Sequence, residues 1–247
     1  MDDEALKRYS RHILLPQFGF EGQERLNQAK VLIIGVGGLG SPAALYLGAS
    51  GVEKITLVDD DTVEISNLPR QIVHNQDTLG LNKTQSAKLA ISRINDTIKI
   101  NPITRRLTGD KLLKECHGHD IILDCTDRFT SRFAINQAAI ESKTPLVSAA
   151  AVGFDGQISS FIPQDKSSPC YQCLYADGFP EDTLCSENGI LSPVVGTMGL
   201  LQALEAIKII TAVGDTLLGK LLIFDGLTTS FRTLKLKKDP ACAACAT

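Results

Sequence analysis

Along the first 150 residues, short unbroken apolar runs ending in glycine or acid alternate with longer stretches of mixed polarity. VLIIG (31–35), KITLVD (54–59), DIILDCTD (120–127) and PLVSAA (145–150) have the length and aliphatic content of buried strands. IKINPITRRL (98–107) reads as a further strand, with Pro102 placing it at an edge or bulge. Residues 82–95 carry apolar positions at Ala87, Leu89–Ile91 and Ile94, close to helical spacing. Helices are also predicted over Ser41–Ala49 and about 130–142, and residues 4–28 read as short helices broken at Pro16 and Gly19. Strands alternating with helices predict a parallel sheet covered on both faces. Beyond Gly153 the pattern changes: GQISSFIP, KLLIFDG and SFRTLKLK read as consecutive strands, with a helix from about 193 to 212 among them. The expected fold is α/β, a Rossmann-like, mostly parallel sheet continued by a mixed or antiparallel C-terminal half. Residues 1–150 and 151–247 are expected to be two halves of one domain.

Composition narrows the function classes. With 247 residues and 43% hydrophobic content, the chain can bury a sizeable core without disulfides. A net charge of −3 and the lack of a basic run with interleaved aromatics argue against a nucleic-acid partner. Lys235, Lys237 and Lys238 read as a solvated edge. The most apolar region, Ile190–Val213, contains Glu205 and Lys208 and is interrupted by Pro193, so it is expected to be a buried helix and not a membrane span. The N-terminal MDDEALKRYS has no apolar signal core, which points to the cytoplasm, where the seven cysteines are expected to be reduced or metal-bound.

Gly35, Gly37 and Gly40 fit G-x-G-x-x-G between a predicted strand and helix, with an additional Gly38. Such a loop lets backbone approach a phosphate at a helix N-terminus. Asp59 ends the next strand, where a ribose-binding acid belongs, and heads the run Asp59-Asp60-Asp61. That pattern alone also suits an NAD-dependent oxidoreductase, but three consecutive carboxylates suit a Mg²⁺-bound triphosphate better. SNLPRQ (66–71) follows, and its Ser66, Asn67, Arg70 and Gln71 are within chain reach of a nucleotide held by the first two strands; Lys83 adds a cation before the next helix. Asp127 and Asp124, at the end of IILDCTD, are candidates for the metal. Asp127 lies further toward the loop, and Asp124 is expected to point into the sheet or cap a turn.

Cys170/Cys173 and Cys242/Cys245 form two C-x-x-C pairs, which together can hold Zn²⁺ in a closed Cys₄ site tying the C-terminus to the middle of the chain. A redox pair is the alternative, but it leaves the second pair unexplained. Cys116 and Cys125 read as core residues. Cys185 lies in the polar stretch 176–189 and reads as a loop cysteine; its neighbours Asp182 and Glu187 would raise its thiol pKa.

RYSRHILL, GVGGLG, DDDTVEISNLPRQ, LDCTD, PCYQC, the Cys185 loop, VVGTMGLLQALEAIK and ACAAC occur in this order over nearly the whole chain. The ordered set resembles the MoeB/ThiF family, bacterial relatives of ubiquitin-activating enzymes. The resemblance implies an ATP-dependent adenylyltransferase that activates the terminal Gly-Gly carboxylate of a ubiquitin-like sulfur carrier, MoaD type or ThiS type, as an acyl-adenylate with release of pyrophosphate. It implies that Gly38 lies under the phosphates, Asp59 holds the ribose, Asn67 and Arg70 contact the triphosphate, Lys83 steadies charge at the α-phosphate and Asp127 binds Mg²⁺. It also implies a homodimer in which Arg11 reaches the partner's site, carrier binding by residues 151–247, and a covalent carrier link through Cys185 in some relatives. Arg128 stands where the family usually has asparagine and puts a cation beside Asp127. The chain lacks the sulfurtransferase extension of longer relatives, so a separate sulfurtransferase or cysteine desulfurase is expected.

Overall fold

The computed structural model describes residues 1–175 and 189–246. Helices α1 (Asp3–Arg8), α2 (Ser10–Ile13) and α3 (Gly19–Leu26) precede β1 (Lys30–Ile34), α4 (Gly40–Ala49), β2 (Lys54–Val58), α5 (Lys83–Ile94) and β3 (Lys99–Ile103). Then come α6 (Gly109–His117), β4 (Ile121–Asp124), α7 (Phe129–Ser142), β5 (Leu146–Val152), β6 (Asp155–Phe161), α8 (Tyr171–Leu174), α9 (Ser192–Thr211), β7 (Lys220–Asp225) and β8 (Ser230–Lys235). All eight strands form one sheet in the order β3-β2-β1-β4-β5-β6-β7-β8. The first five are parallel and the last three antiparallel. The predicted α/β class holds, and β3, with Pro102, lies at the sheet edge where a missing N–H is tolerated. Helix α6 was not predicted; it is short, and its core-facing side rests on two buried residues one turn apart, Leu112 and Cys116.

Strand alternation divides the core. Val31, Ile33, Ile121 and Leu123 face one layer with α3, α4 and α9; Leu32, Ile34 and Ile122 face the other with α6 and α7. Both faces are buried, as a parallel sheet requires. Helix α9 is long and apolar enough to cross a membrane by length and composition, but it packs on α4, β5 and β6 as a core helix. Its buried Glu205 accepts from Leu217 N at 2.8 Å and pairs with Lys208. Buried Gln202 donates to the carbonyls of Asp124 (2.8 Å) and Val147 (3.3 Å), tying α9 to the sheet.

The chain runs from β1 out to β3, then returns to β4 on the other side of β1. That reversal opens a crevice at the carboxyl ends of β1, β2 and β4, where open α/β sheets bind ligands.

The crossing of α9 on α4 depends on Gly199: a Cβ there would stand 2.2 Å from the Leu39 carbonyl oxygen and 2.6 Å from Pro42 Cγ. At Gly196, in the same helix, nothing lies within 4 Å. Gly196→Ala should therefore leave stability unchanged or raise it by up to about 1 kcal/mol through helix propensity. Gly199→Ala should destabilise by about 1–3 kcal/mol through overpacking. Urea unfolding checks the pair; equal effects would contradict the close crossing.

Candidate functional site

The glycine loop is shaped by its own backbone. Gly35 has φ +91°, and a Cβ on it would meet the Cys125 carbonyl at 2.7 Å, so that position admits glycine for two reasons. Gly40 lies against Gly35, where a Cβ would stand 2.0 Å from its carbonyl oxygen. Gly38 turns its missing side chain to Val195 of α9, 2.9 Å from where a Cβ would be. A Cβ on Gly37 would meet nothing nearer than Gln71 Nε2, at 3.7 Å, which leaves an open face before α4.

Asp59 ties this loop to the end of β2. Its carboxylate accepts from Val36 N at 2.7 Å and from Asp61 N at 2.9 Å. Burial raises its pKa against the lowering influence of Lys83 and these hydrogen bonds. Asn82 caps α5 by accepting from Thr84 N, and its amide donates to the carbonyls of Asp59 and Asp61. Lys83, the first residue of α5, is buried with Nζ 2.7 Å from Asp61 Oδ2. A cation in a first helical turn opposes the helix dipole, so the site keeps positive charge at a local cost.

The SNLPRQ segment forms a short 3₁₀ turn, Ile65–Asn67. Ser66 is exposed on it, and its carbonyl accepts from Arg70 Nη1 at 2.9 Å. Buried Asn67 accepts from Glu64 N as a cap for the turn. Gln71 is buried, and its Oε1 has no hydrogen-bond partner among the described residues, which suits a group waiting for a ligand. Asp127 and Arg128 are exposed between β4 and α7. Arg11 is exposed on α2. Cys185 lies outside the described residues.

Two residues absent from the motif reading also act here. His74 is buried, with Nδ1 2.8 Å from Ser86 Oγ and Nε2 3.1 Å from the Val36 carbonyl. Desolvation lowers its pKa to about 4, with Lys83 adding to the shift. Buried Arg132 donates to the Thr126 carbonyl and lies near Ser148 Oγ; Asp124 accepts from Ser148 Oγ and from Thr126 N and Oγ1. Asp124 thus points inward and caps the turn leading to Asp127, as expected. A lone histidine in a polar segment and an arginine inside a helix carry no motif signal.

Away from the crevice, the four paired cysteines converge. Cys170 Sγ is 3.8 Å from Cys173 Sγ and 3.6 Å from Cys242 Sγ, and Cys173 Sγ is 3.5 Å from Cys245 Sγ. A tetrahedron of thiolates at 2.3 Å from zinc puts its sulfurs about 3.8 Å apart. The donor set fits zinc and brings both C-x-x-C pairs into one cluster, which a redox pair does not explain. Cys116 and Cys125 are core residues whose thiol pKa values burial raises, that of Cys116 to about 12.

The ThiF family matches residues 9–244. The molybdopterin-synthase adenylyltransferase of Salmonella typhimurium is 42% identical over 246 residues, covering 99% of this chain and 98% of that protein. The sulfur carrier protein ThiS adenylyltransferase of Escherichia coli is also 42% identical, covering 99% and 97%. The adenylyltransferase and sulfurtransferase MOCS3 of Drosophila ananassae is 42% identical, with the match covering 54% of its length. Among solved structures, E. coli MccB with MccA-N7isoASN shares the fold at a TM-score of 0.84 and 24% identity, covering 100% of this chain and 76% of that one.

Metal removal should be felt throughout the fold, because zinc binding is coupled to folding. Verified stripping of the zinc-loaded protein should lower its melting temperature; an unchanged melting temperature would contradict a structural Cys₄ site. A second expectation concerns pH. The folded-state pKa values of His74 and His119 are both lowered by burial. The unfolded chain therefore binds more protons below about pH 6.5, and stability falls as pH drops, for His74 until about pH 4. Urea midpoints should fall from pH 7 to pH 5, less so in His74→Gln; identical drops would remove His74 from that linkage.

Proposed function

The chain belongs to the ThiF family, and on that premise we propose that it is an ATP-dependent adenylyltransferase acting on the C-terminal Gly-Gly carboxylate of a ubiquitin-like sulfur-carrier protein. The observation that carries this reading is buried Lys83, held on Asp61 in a helix first turn beside the glycine loop. A cation kept there against the dipole suits a polyphosphate undergoing transfer. The relatives named above are adenylyltransferases, and nothing in them supports the NAD-dependent oxidoreductase alternative.

In this mechanism the open face at Gly37 and the start of α4 receive the phosphates, with Gly38 under them and backed by Val195 of α9, and with Gly35 and Gly40 holding the loop against the turn after β4. Asp59, whose oxygens each keep a further lone pair, takes the ribose. Ser66, Asn67, Arg70 and Gln71 line the triphosphate, with Arg128 as an added cation and Arg11 completing the site from the partner subunit of a homodimer. Lys83 exchanges its Asp61 contact for the α-phosphate as charge develops. The carrier's carboxylate is already ionised at neutral pH, so no general base is needed. Its oxygen attacks the α-phosphorus, the bond to the bridging oxygen breaks and pyrophosphate leaves. Asp127, with the acidic run at β2, would hold Mg²⁺, which neutralises phosphate charge when bound. The carboxylates of Asp59, Asp60 and Asp61 at the end of β2 lie close enough together to offer hard oxygen donors, which suit it. Residues 1–150 bind nucleotide, and residues 151–247 carry the carrier contacts and the zinc. The same site region would serve a MoaD-type carrier, for molybdopterin, or a ThiS-type carrier, for thiamine; the equal identities to both kinds of relative do not choose. Sulfur would then come from a separate sulfurtransferase or cysteine desulfurase in the cytoplasm, with Cys185 as the candidate for a covalent carrier link.

ATP–pyrophosphate exchange with purified MoaD-type and ThiS-type carriers tests the reading. Exchange that requires a carrier is expected; none with either carrier, in zinc-loaded protein, would contradict it. Lys83→Ala should cut the exchange rate about 10²–10³-fold while changing ATP affinity far less. Asp127→Ala should abolish exchange without unfolding the protein, and near-normal turnover in either variant would refute that residue's role.

A further inference from the structure

The loop that receives ATP in the reading above is one side of a closed hydrogen-bond circuit. Val36 donates its N–H to Asp59, Asp59 accepts from Asp61 N, and Lys83 N donates to the Asp61 carbonyl at 3.0 Å. One turn further along α5, Ser86 Oγ meets His74 Nδ1, and His74 Nε2 returns to the Val36 carbonyl. Val36 and Ser86 are fully buried and His74 nearly so.

The proton positions follow from chemistry. A carbonyl can only accept, so Nε2 carries the hydrogen; Nδ1 is then the acceptor, and the Ser86 hydroxyl donates. The two polar groups of the Val36 peptide unit ends are thereby held from opposite sides, by Asp59 and by His74. The next carbonyl, that of Gly37, accepts from Ser41 N at 2.9 Å. The carbonyls of Val36 and Gly37 are thus both taken up inside the protein.

We propose that His74 is a positioning residue for the nucleotide: through Nε2–H it fixes the Val36 carbonyl and so orients the glycine loop, and through Ser86 it sets that loop in register with Lys83 on α5. This rests on the adenylyltransferase reading. It adds that the loop and Lys83 form one pre-aligned unit closed by a residue that never touches the substrate. Removing the ring leaves a buried carbonyl without its donor, a loss felt at the loop before anywhere else.

The test compares His74→Leu, which removes both polar atoms, with His74→Gln, whose amide can restore a donor to Val36. His119→Leu serves as a control for general destabilisation. His119 is likewise buried, but it bonds to the Glu115 carbonyl and Thr56 Oγ1. ATP binding is read by calorimetry without a carrier, on folded protein, and the KM values for ATP and carrier are measured separately. His74→Leu should weaken ATP binding by about tenfold or more, consistent with losing one buried hydrogen bond. Its KM for carrier should be unchanged. His74→Gln should recover most of the loss, and His119→Leu should bind ATP like the wild type. Should His74→Leu not fold, Ser86→Ala keeps the ring and should show a smaller loss in the same direction. Unchanged ATP affinity in the folded variant, or equal losses in His74→Leu and His74→Gln, would overturn the proposal while leaving the adenylyltransferase reading intact. Wild-type protein that bound no ATP would instead overturn that reading itself.

Discussion

The hydrogen bond from Val36 N–H to the Asp59 carboxylate is the constraint on which the crevice depends. It joins the strand that launches the glycine loop to the neighbouring strand that ends in acid, beside the point between β1 and β4 where chain order reverses. Asp59 also receives Asp61 N, and that turn of backbone brings the Asp61 side chain to Lys83. A single carboxylate therefore sets loop, acidic run and cation relative to one another. Its partial burial is tolerable because both oxygens are hydrogen-bonded and a buried cation lies close by.

Packing supports this constraint from behind. Glycine at 35, 40 and 199 lets β4, the loop and α9 approach at backbone distance. Gln202 of α9 then donates to the Asp124 and Val147 carbonyls of the sheet, tying helix to strands. The Cys₄ cluster works at a different scale. It joins Cys242 and Cys245, near the end of the chain, to Cys170 and Cys173 after β6, without contributing a group to the crevice. The molecule thus separates a four-cysteine cluster at its periphery from a site built on strand ends, which is how a rigid scaffold can carry precisely placed charge.

Much of the fold was legible in the sequence because its signals are local. VLIIG and the IIL of IILDCTD are aliphatic runs of strand length bounded by glycine or acid, and Pro102 marked the edge correctly. The glycine spacing, the Asp59 position and the two C-x-x-C pairs are one-dimensional patterns with three-dimensional meaning. Helix α6 was missed because just two of its residues face the core. His74 and Arg132 were missed for a different reason. Their partners, Val36 and Ser148, lie 38 and 16 residues away, so nothing beside them in the chain reports their role. Asn67 shows the reverse: its motif position suggests a triphosphate contact, while its side chain also caps the turn that presents Arg70.

The central physical claim is that the glycine loop is organised before ATP arrives. Amide hydrogen exchange at Val36 in the nucleotide-free protein tests it most directly. The account predicts protection comparable to the β1 amides of Leu32 and Ile33, with little further gain when ATP is added. Rapid exchange in the free protein, slowing to strand-like rates with ATP alone, would contradict it.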